Sequence, residues 1–256
     1  MRTAVTPDTF ANLYAQGFVR VGVASHRVVP GDPTANMAEV LSLIRQAERE
    51  HVGLLLFPEL GITGYAIDDL QQQAVIQNEA EGAIAALCEA TRDLQVIALI
   101  GAPLRWRQRL YNCAIAIQAG RVLGVIPKSY LPNYREFYEA RQFADAASVG
   151  PDSEIGVAGQ NVPFGTNLIF EALNLILQCV WKFVKMCGCR SRHRHGWLWG
   201  ERLFWQTYPR PHQQSAKQTI AMTCAACNRH SVLLPICIQR QGMENLPRIL
   251  PGMARR

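Results

Sequence analysis

Residues Leu54 to Tyr65 read LLLFPELGITGY. Three leucines and Phe57 form a short apolar run that stops at Pro58 and delivers a carboxylate, Glu59. An apolar run of this length bounded by Pro and Gly predicts a buried strand. Pro58 has no N–H to give the ladder and ends it. Gly61 and Gly64 then allow a tight turn beside the carboxylate. A carboxyl group at the rim of an apolar wall has its pKa pushed toward neutrality, as a general base requires. A strand-end Glu that simply faces solvent has the same local sequence, and this stretch alone leaves both readings open.

On either side of this stretch, strands alternate with helices. Phe18 to Ser25 (FVRVGVAS) predicts a first strand. Asp32 before Pro33 fits an N-cap followed by Pro in the first turn. Met37, Val40, Leu41, Ile44 and Ala47 then recur at helical spacing. Gly53 to Leu60 is the second strand, Asp68 to Asp93 is mostly helical, and Gln95 to Pro103 is the third strand. Tyr111 to Gln118 and Arg121 to Pro127 form a hairpin about Ala119-Gly120. Residues 1–16 predict a short helix or arm. The order points to a mixed sheet with helices packed on it, an α/β layered domain.

Composition divides the chain in two. Residues 1–175 carry 13 Lys+Arg and 18 Asp+Glu, a net of −5; residues 176–256 carry 13 Lys+Arg and 2 acids, a net of +11, which together give the chain's +6. The second part also holds six of eight cysteines, four of five tryptophans and four of six histidines. The basic balance therefore belongs to the tail. No stretch reaches the roughly 18 apolar residues of a membrane span, and MRTAVTPDTFANLYAQ lacks a basic-then-apolar leader pattern. The sequence predicts a cytoplasmic protein with no membrane partner.

A second candidate site residue is Lys128, in VIPKSYLPNYREFYEARQF. A lysine at a strand end beside tyrosines can stabilise a developing oxyanion; a solvated surface lysine is the plainer reading of any lone Lys. Arg135, Glu136, Glu139 and Arg141 read as ion pairs on a surface helix, each worth little.

Taken together, FPELGITGY, the run GAPLRWRQRLYNCAIAIQAGRVLGVIPKSYLPNYREFYEARQF, FGTNLIF at 164–170 and the opening YAQGFVRVGVASH resemble the nitrilase superfamily of carbon–nitrogen hydrolases. More narrowly they are similar to the glutaminase domains of bacterial glutamine-dependent NAD synthetases. PKSYLPNYREFYE is the most specific stretch, and the resemblance spans roughly residues 12–175. It implies a nitrilase-like α-β-β-α sandwich, here incomplete, followed by an irregular tail. It implies a Glu-Lys-Cys site in which Glu59 is the general base, Lys128 stabilises the tetrahedral intermediate and Tyr134 lines the glutamine pocket. The implied chemistry is amide hydrolysis through a thioester, with release of ammonia. In the family the ammonia passes to a C-terminal synthetase domain, which uses ATP and magnesium to convert deamido-NAD to NAD, within a homo-oligomer. That domain carries an SGGxDS-type loop, which this sequence does not contain. No cofactor or metal is expected for the segment present.

The family's cysteine lies in a string like EICEDVWVP soon after FGTNLIFEA, and no such string occurs here. Cys113 lies too early, inside the hairpin, and reads as a small core residue; Cys88 reads as helix packing. Shifting Val180 to Arg190 by one frame joins the last base of each codon to the first two of the next. Trp181-Lys182 then forces Glu, Met186-Cys187 forces Val, and the remaining junctions permit EICEDVWVP throughout. Across Met243 to Arg255 the same shift permits GESTTDLAWDGQ, with both glycines forced. Residues 1–175 thus read as a partial glutaminase domain, and residues 176–256 as an out-of-frame tail. A tail of that origin has no selected periodicity, capping or core. The polypeptide is then expected to lack glutaminase activity and to fold poorly.

A different class remains open: a non-catalytic α/β domain with a functional basic tail. Cys224 and Cys227 form a CxxC that, with Cys187, Cys189, His193, His195 or His230, makes a zinc site conceivable. The charge, with Trp197, Trp199 and Trp205, makes nucleic-acid binding conceivable. No second CxxC or HxxxH stands at regular spacing, and the sequence favours neither metal nor nucleic acid. A reducing compartment also argues against disulfides.

Overall fold

The computed structural model describes residues 18–133 and 137–172, and beyond them four strand segments at 177–184, 200–207, 218–225 and 232–239. The expected arm at 1–16 lies outside these residues. Strand β1 (Phe18–Ser25) is followed by α1 (Pro33–Arg49), β2 (Leu54–Leu56), a 3-10 segment (Tyr65–Gln72) and α2 (Ala74–Ala90). Then come β3 (Ile97–Trp106), β4 (Arg109–Gln118), β5 (Arg121–Pro127), the short α3 (Glu139–Gln142), β6 (Ser153–Val157), β7 (Gln160–Phe164) and β8 (Ile169–Ala172). The tail contributes β9 (Leu177–Val184), β10 (Gly200–Thr207), β11 (Gln218–Ala225) and β12 (Val232–Gln239).

Local chemistry places the helices as the sequence indicates. Asp32 Oδ1 accepts the Ala35 N–H at 2.9 Å, and Pro33 occupies the first turn. Val40, Leu43, Ile44 and Ala47 form the buried stripe of α1; Met37 and Leu41, which share its helical spacing, lie at its margin. Helix α2 buries Ala80, Ala83, Ile84, Leu87 and Cys88. The β4–β5 turn has left-handed backbone at both Ala119 (φ 48°) and Gly120 (φ 75°), the twist a two-residue hairpin favours.

The strands form an eight-stranded sheet in the order β12-β1-β2-β3-β4-β5-β7-β6 and a four-stranded sheet in the order β11-β10-β9-β8. β1, β2 and β3 run parallel, β3, β4 and β5 antiparallel, so the larger sheet is mixed. Strand alternation gives it two apolar faces. Ala98, Ile100, Ala102, Tyr111, Cys113, Ile115 and Ile117 share one core with both helices. Each fully buried Leu or Ile there contributes about 2 kcal/mol. The opposite face carries Leu99, Ala114, Ala116 and Ile126, all buried. The second sheet lies on that side: a Cβ on Gly124 of β5 would come within 2.9 Å of Leu168 and 3.2 Å of Phe170. Helices, sheet and second sheet are three layers of the expected sandwich.

Two expectations change. The second strand ends at Leu56, because the Phe57 N–H reaches Leu99 O (2.9 Å) and Pro58 can donate nothing further. The tail expected to be irregular contains four strands of eight residues each. Pairing asks only for short apolar runs, and LQCVWKFV and VLLPICIQ supply them. β12 pairs with β1 alone, at the sheet edge where Pro235 is tolerated. Among the described residues, no helix is long and apolar enough to cross a membrane.

Candidate active site

Glu59 stands just beyond the C-terminal end of β2, which is flanked by β1 and β3. Its backbone is held in a tight elbow. Leu60 takes a left-handed conformation (φ 48°), Gly61 N donates to Pro58 O at 3.2 Å, and Gly64 N donates to Leu60 O at 2.6 Å. Ile62 N donates to Gly101 O of β3 at 3.1 Å. Gly101 has no side chain where the elbow crosses it: a Cβ there would lie 2.5 Å from Leu60 N and 2.6 Å from Pro58 O. The buried His26 donates from Nε2 to Gly61 O at 2.9 Å. Burial holds the His26 pKa below its ordinary value, so the ring is a neutral prop. Asn36 of α1 donates to Ile62 O at 2.9 Å and ties the helix to the same elbow.

Lys128 follows β5, and its N–H donates to Asn112 O of β4 at 2.9 Å. It is 3% exposed, so the solvated-lysine reading fails. Its Nζ lies 2.5 Å from Glu59 Oε1 and 2.9 Å from Glu139 Oε1. The amide of Asn112 also donates to Glu59 Oε1. Glu139, expected on a surface helix, is 4% exposed. α3 is a single turn whose Glu139 N–H is anchored to Pro132 O at 3.1 Å, and this turns the side chain inward. Tyr65 Oη donates to Glu139 Oε1 at 2.6 Å. Of the other expected ion pairs, Arg141 meets Asp69 at 2.5 Å on the surface, while Arg135 and Glu136 lie outside the described residues. Tyr134 lies outside them too.

One ammonium thus sits between two buried carboxylates. Burial raises the Glu59 pKa above its ordinary 4.5; the Lys128 charge opposes this, the Glu139 charge adds to it, and the hydrogen bonds from Lys128 and Asn112 oppose it. Burial, then the bond to Glu139, raises the Tyr65 pKa, so the phenol stays protonated. A carboxyl group raised in this way can take a proton, and the fixed cation beside it can offset negative charge.

The described free cysteines do not serve this site. Asn112 points at Glu59, and strand alternation turns the adjacent Cys113 to the helix-side core. Cys113 is fully buried and its thiol pKa is raised; that of Cys88 is pushed up to about 11, also by burial. Of the zinc-binding candidates, Cys224 falls within β11, while Cys187, Cys189, His193, His195, Cys227 and His230 lie outside the described residues. Trp205 falls within β10; Trp197 and Trp199 lie outside. Glu139, Tyr65 and Asn112 were not singled out from the sequence. The signal for Asn112 was an amide inside the apolar part of the strand YNCAIAIQ, since a buried polar group needs a partner.

The mixed sheet brings a buried carboxylate from beyond β2 and a lysine from beyond β5 into contact, although β3 and β4 lie between those strands. The chain belongs to the carbon–nitrogen hydrolase family, whose model matches residues 20–167. Among its relatives is the glutamine-dependent NAD(+) synthetase of Mycobacterium leprae (strain TN), 46% identical over 169 residues, which cover 65% of this chain and 24% of that protein. The synthetase of Mycobacterium tuberculosis (strain ATCC 25618 / H37Rv) is 45% identical over 166 residues, with the same coverage. In structure, the glutamine-dependent NAD(+) synthetase from Cytophaga hutchinsonii superposes with a TM-score of 0.57 at 25% identity, covering 63% of this chain and 27% of that one. The chain spans about a quarter of the length of the curated relatives it matches.

Proposed function

We propose that residues 1–175 are part of the glutaminase domain of a glutamine-dependent NAD synthetase, and that residues 176–256 are read out of frame. The observation that carries this reading is the buried Lys128–Glu59 contact at 2.5 Å, set where strands β2 and β5 end. The similarity to the mycobacterial enzymes covers 65% of the chain, and the family match ends at residue 167, both in keeping with a change of frame near 175.

In the intact domain, Glu59 takes the proton from a cysteine thiol and the thiolate attacks the glutamine side-chain carbonyl. Lys128 offsets the charge on the tetrahedral oxygen. Glu59 then returns the proton to the departing ammonia, leaving a thioester that water cleaves. Tyr134 lines the glutamine pocket. Ammonia passes to a separate synthetase domain, where ATP and magnesium serve; the assembly is a homo-oligomer. The present chain supplies the base and the cation but no nucleophile in this frame, so it is inactive alone.

The test compares ammonia release from glutamine by this chain and by a version with the frame restored before residue 176. The restored chain hydrolyses glutamine and the present one does not. Glutamine hydrolysis by the present chain would overturn the reading and point to a recruited tail cysteine.

A further inference from the structure

Asn112 touches both halves of the Glu59–Lys128 pair. Its backbone carbonyl accepts the Lys128 N–H at 2.9 Å, and its side-chain amide donates to Glu59 Oε1. It is fully buried, within β4 opposite Pro103 of β3. Its Oδ1 is buried and has no hydrogen-bond partner among the described residues. A buried amide left with an open acceptor is costly. Its N–H meets the charged form of Glu59, the form able to accept that bond.

We propose that Asn112 is a positioning residue for Glu59: its amide fixes the carboxyl group against Lys128 and follows the carboxyl group's change of protonation. The other groups facing the carboxyl are Lys128, Glu139 and, through Glu139, Tyr65; His26 supports the elbow from the loop after β1. Asn112 alone among the described residues is shown both donating to Glu59 and accepting from Lys128. A hydrogen bond to the charged form favours that form, so Asn112 keeps Glu59 a stronger acid than burial alone would make it. The inference rests on Glu59 being the proton-accepting group of the proposed site.

The experiment is an NMR titration of this chain, following the Glu59 carboxyl carbon and the Asn112 side-chain amide protons. The amide protons shift with the same midpoint as the Glu59 carboxyl, and that shift disappears in Glu59→Gln. In Asn112→Ala, and in Asn112→Leu, which fills the site with no donor and no charge, the Glu59 midpoint rises by about one pH unit, the value of one charge-assisted hydrogen bond. Amide protons that stay flat while Glu59 titrates overturn the proposal. So does an unchanged or lowered midpoint in either folded variant. Coupling without glutamine hydrolysis by the frame-restored chain would sink the functional reading alone; hydrolysis without coupling would sink this inference alone.

Discussion

Substituting Gly101 by alanine tests the elbow that carries Glu59. The added Cβ would lie 2.5 Å from Leu60 N, 2.6 Å from Pro58 O and 2.9 Å from the carbonyl carbon of Glu59, where ordinary contact begins at 3.4 Å. All three are backbone atoms, so no side chain can swing aside. The elbow must move from β3 by about 0.9 Å, which stretches the Ile62 N to Gly101 O bond from 3.1 Å to beyond hydrogen-bonding range. Overpacking of this kind costs about 1–3 kcal/mol, and the lost bond about 1 more. Restricting the unfolded chain returns roughly 0.4–1 kcal/mol. A net loss of about 2–3 kcal/mol lowers Tm by roughly 5–10 °C for a body of this size. Gly82, in α2, is the control: nothing lies within 4 Å of its Cβ position, and alanine there raises stability by about 0.5–1 kcal/mol. Thermal and urea unfolding of the two variants read the contrast. A Tm for Gly101→Ala equal to the parent's would refute the close-approach argument.

Glu59 binds its proton more tightly in the folded chain than its ordinary 4.5, so its contribution to stability is full below that value and is lost as pH rises through the raised one. Glu59→Gln removes this decline; its stability relative to the parent climbs in urea titrations as pH rises above the ordinary carboxyl value, and a constant difference would contradict the burial of the charge. Lys128→Met leaves two buried carboxylates without their cation and costs about 3–5 kcal/mol at neutral pH, part of which acidification restores. An undiminished unfolding midpoint at neutral pH would mean that the contact is not buried in solution. Asp32→Ala removes the acceptor for the Ala35 N–H and costs about 1 kcal/mol, measured as a lower urea midpoint; Asp32→Asn, which keeps the acceptor, stays near the parent.

Where one residue type fixed the local geometry, the sequence was sufficient. Asp32-Pro33 marked the start of α1 and Ala119-Gly120 the hairpin turn, because each acts on the backbone beside it. Glu59 and Lys128 could be paired only through the family resemblance: 69 residues separate them, and only the sheet brings them together. Glu139 was missed because its charged neighbours suggested a solvent-facing helix; a carboxylate's burial depends on what packs over it. Asn112 was missed because a single amide in a strand is locally indistinguishable from an edge residue. The tail shows the converse limit. Its apolar runs satisfy strand pairing, while its composition differs from that of residues 1–175, so pairing alone does not test the proposed change of frame.

The nucleotide sequence across residues 176–256 bears most directly on the account. The expected result is that the codons spanning 180–190, read one frame over, spell Glu-Ile-Cys-Glu-Asp-Val-Trp-Val-Pro, which supplies the thiol that the proposed mechanism requires. Third-position bases that specify any other string there would contradict the account and leave the tail to be explained as a sequence in its own right.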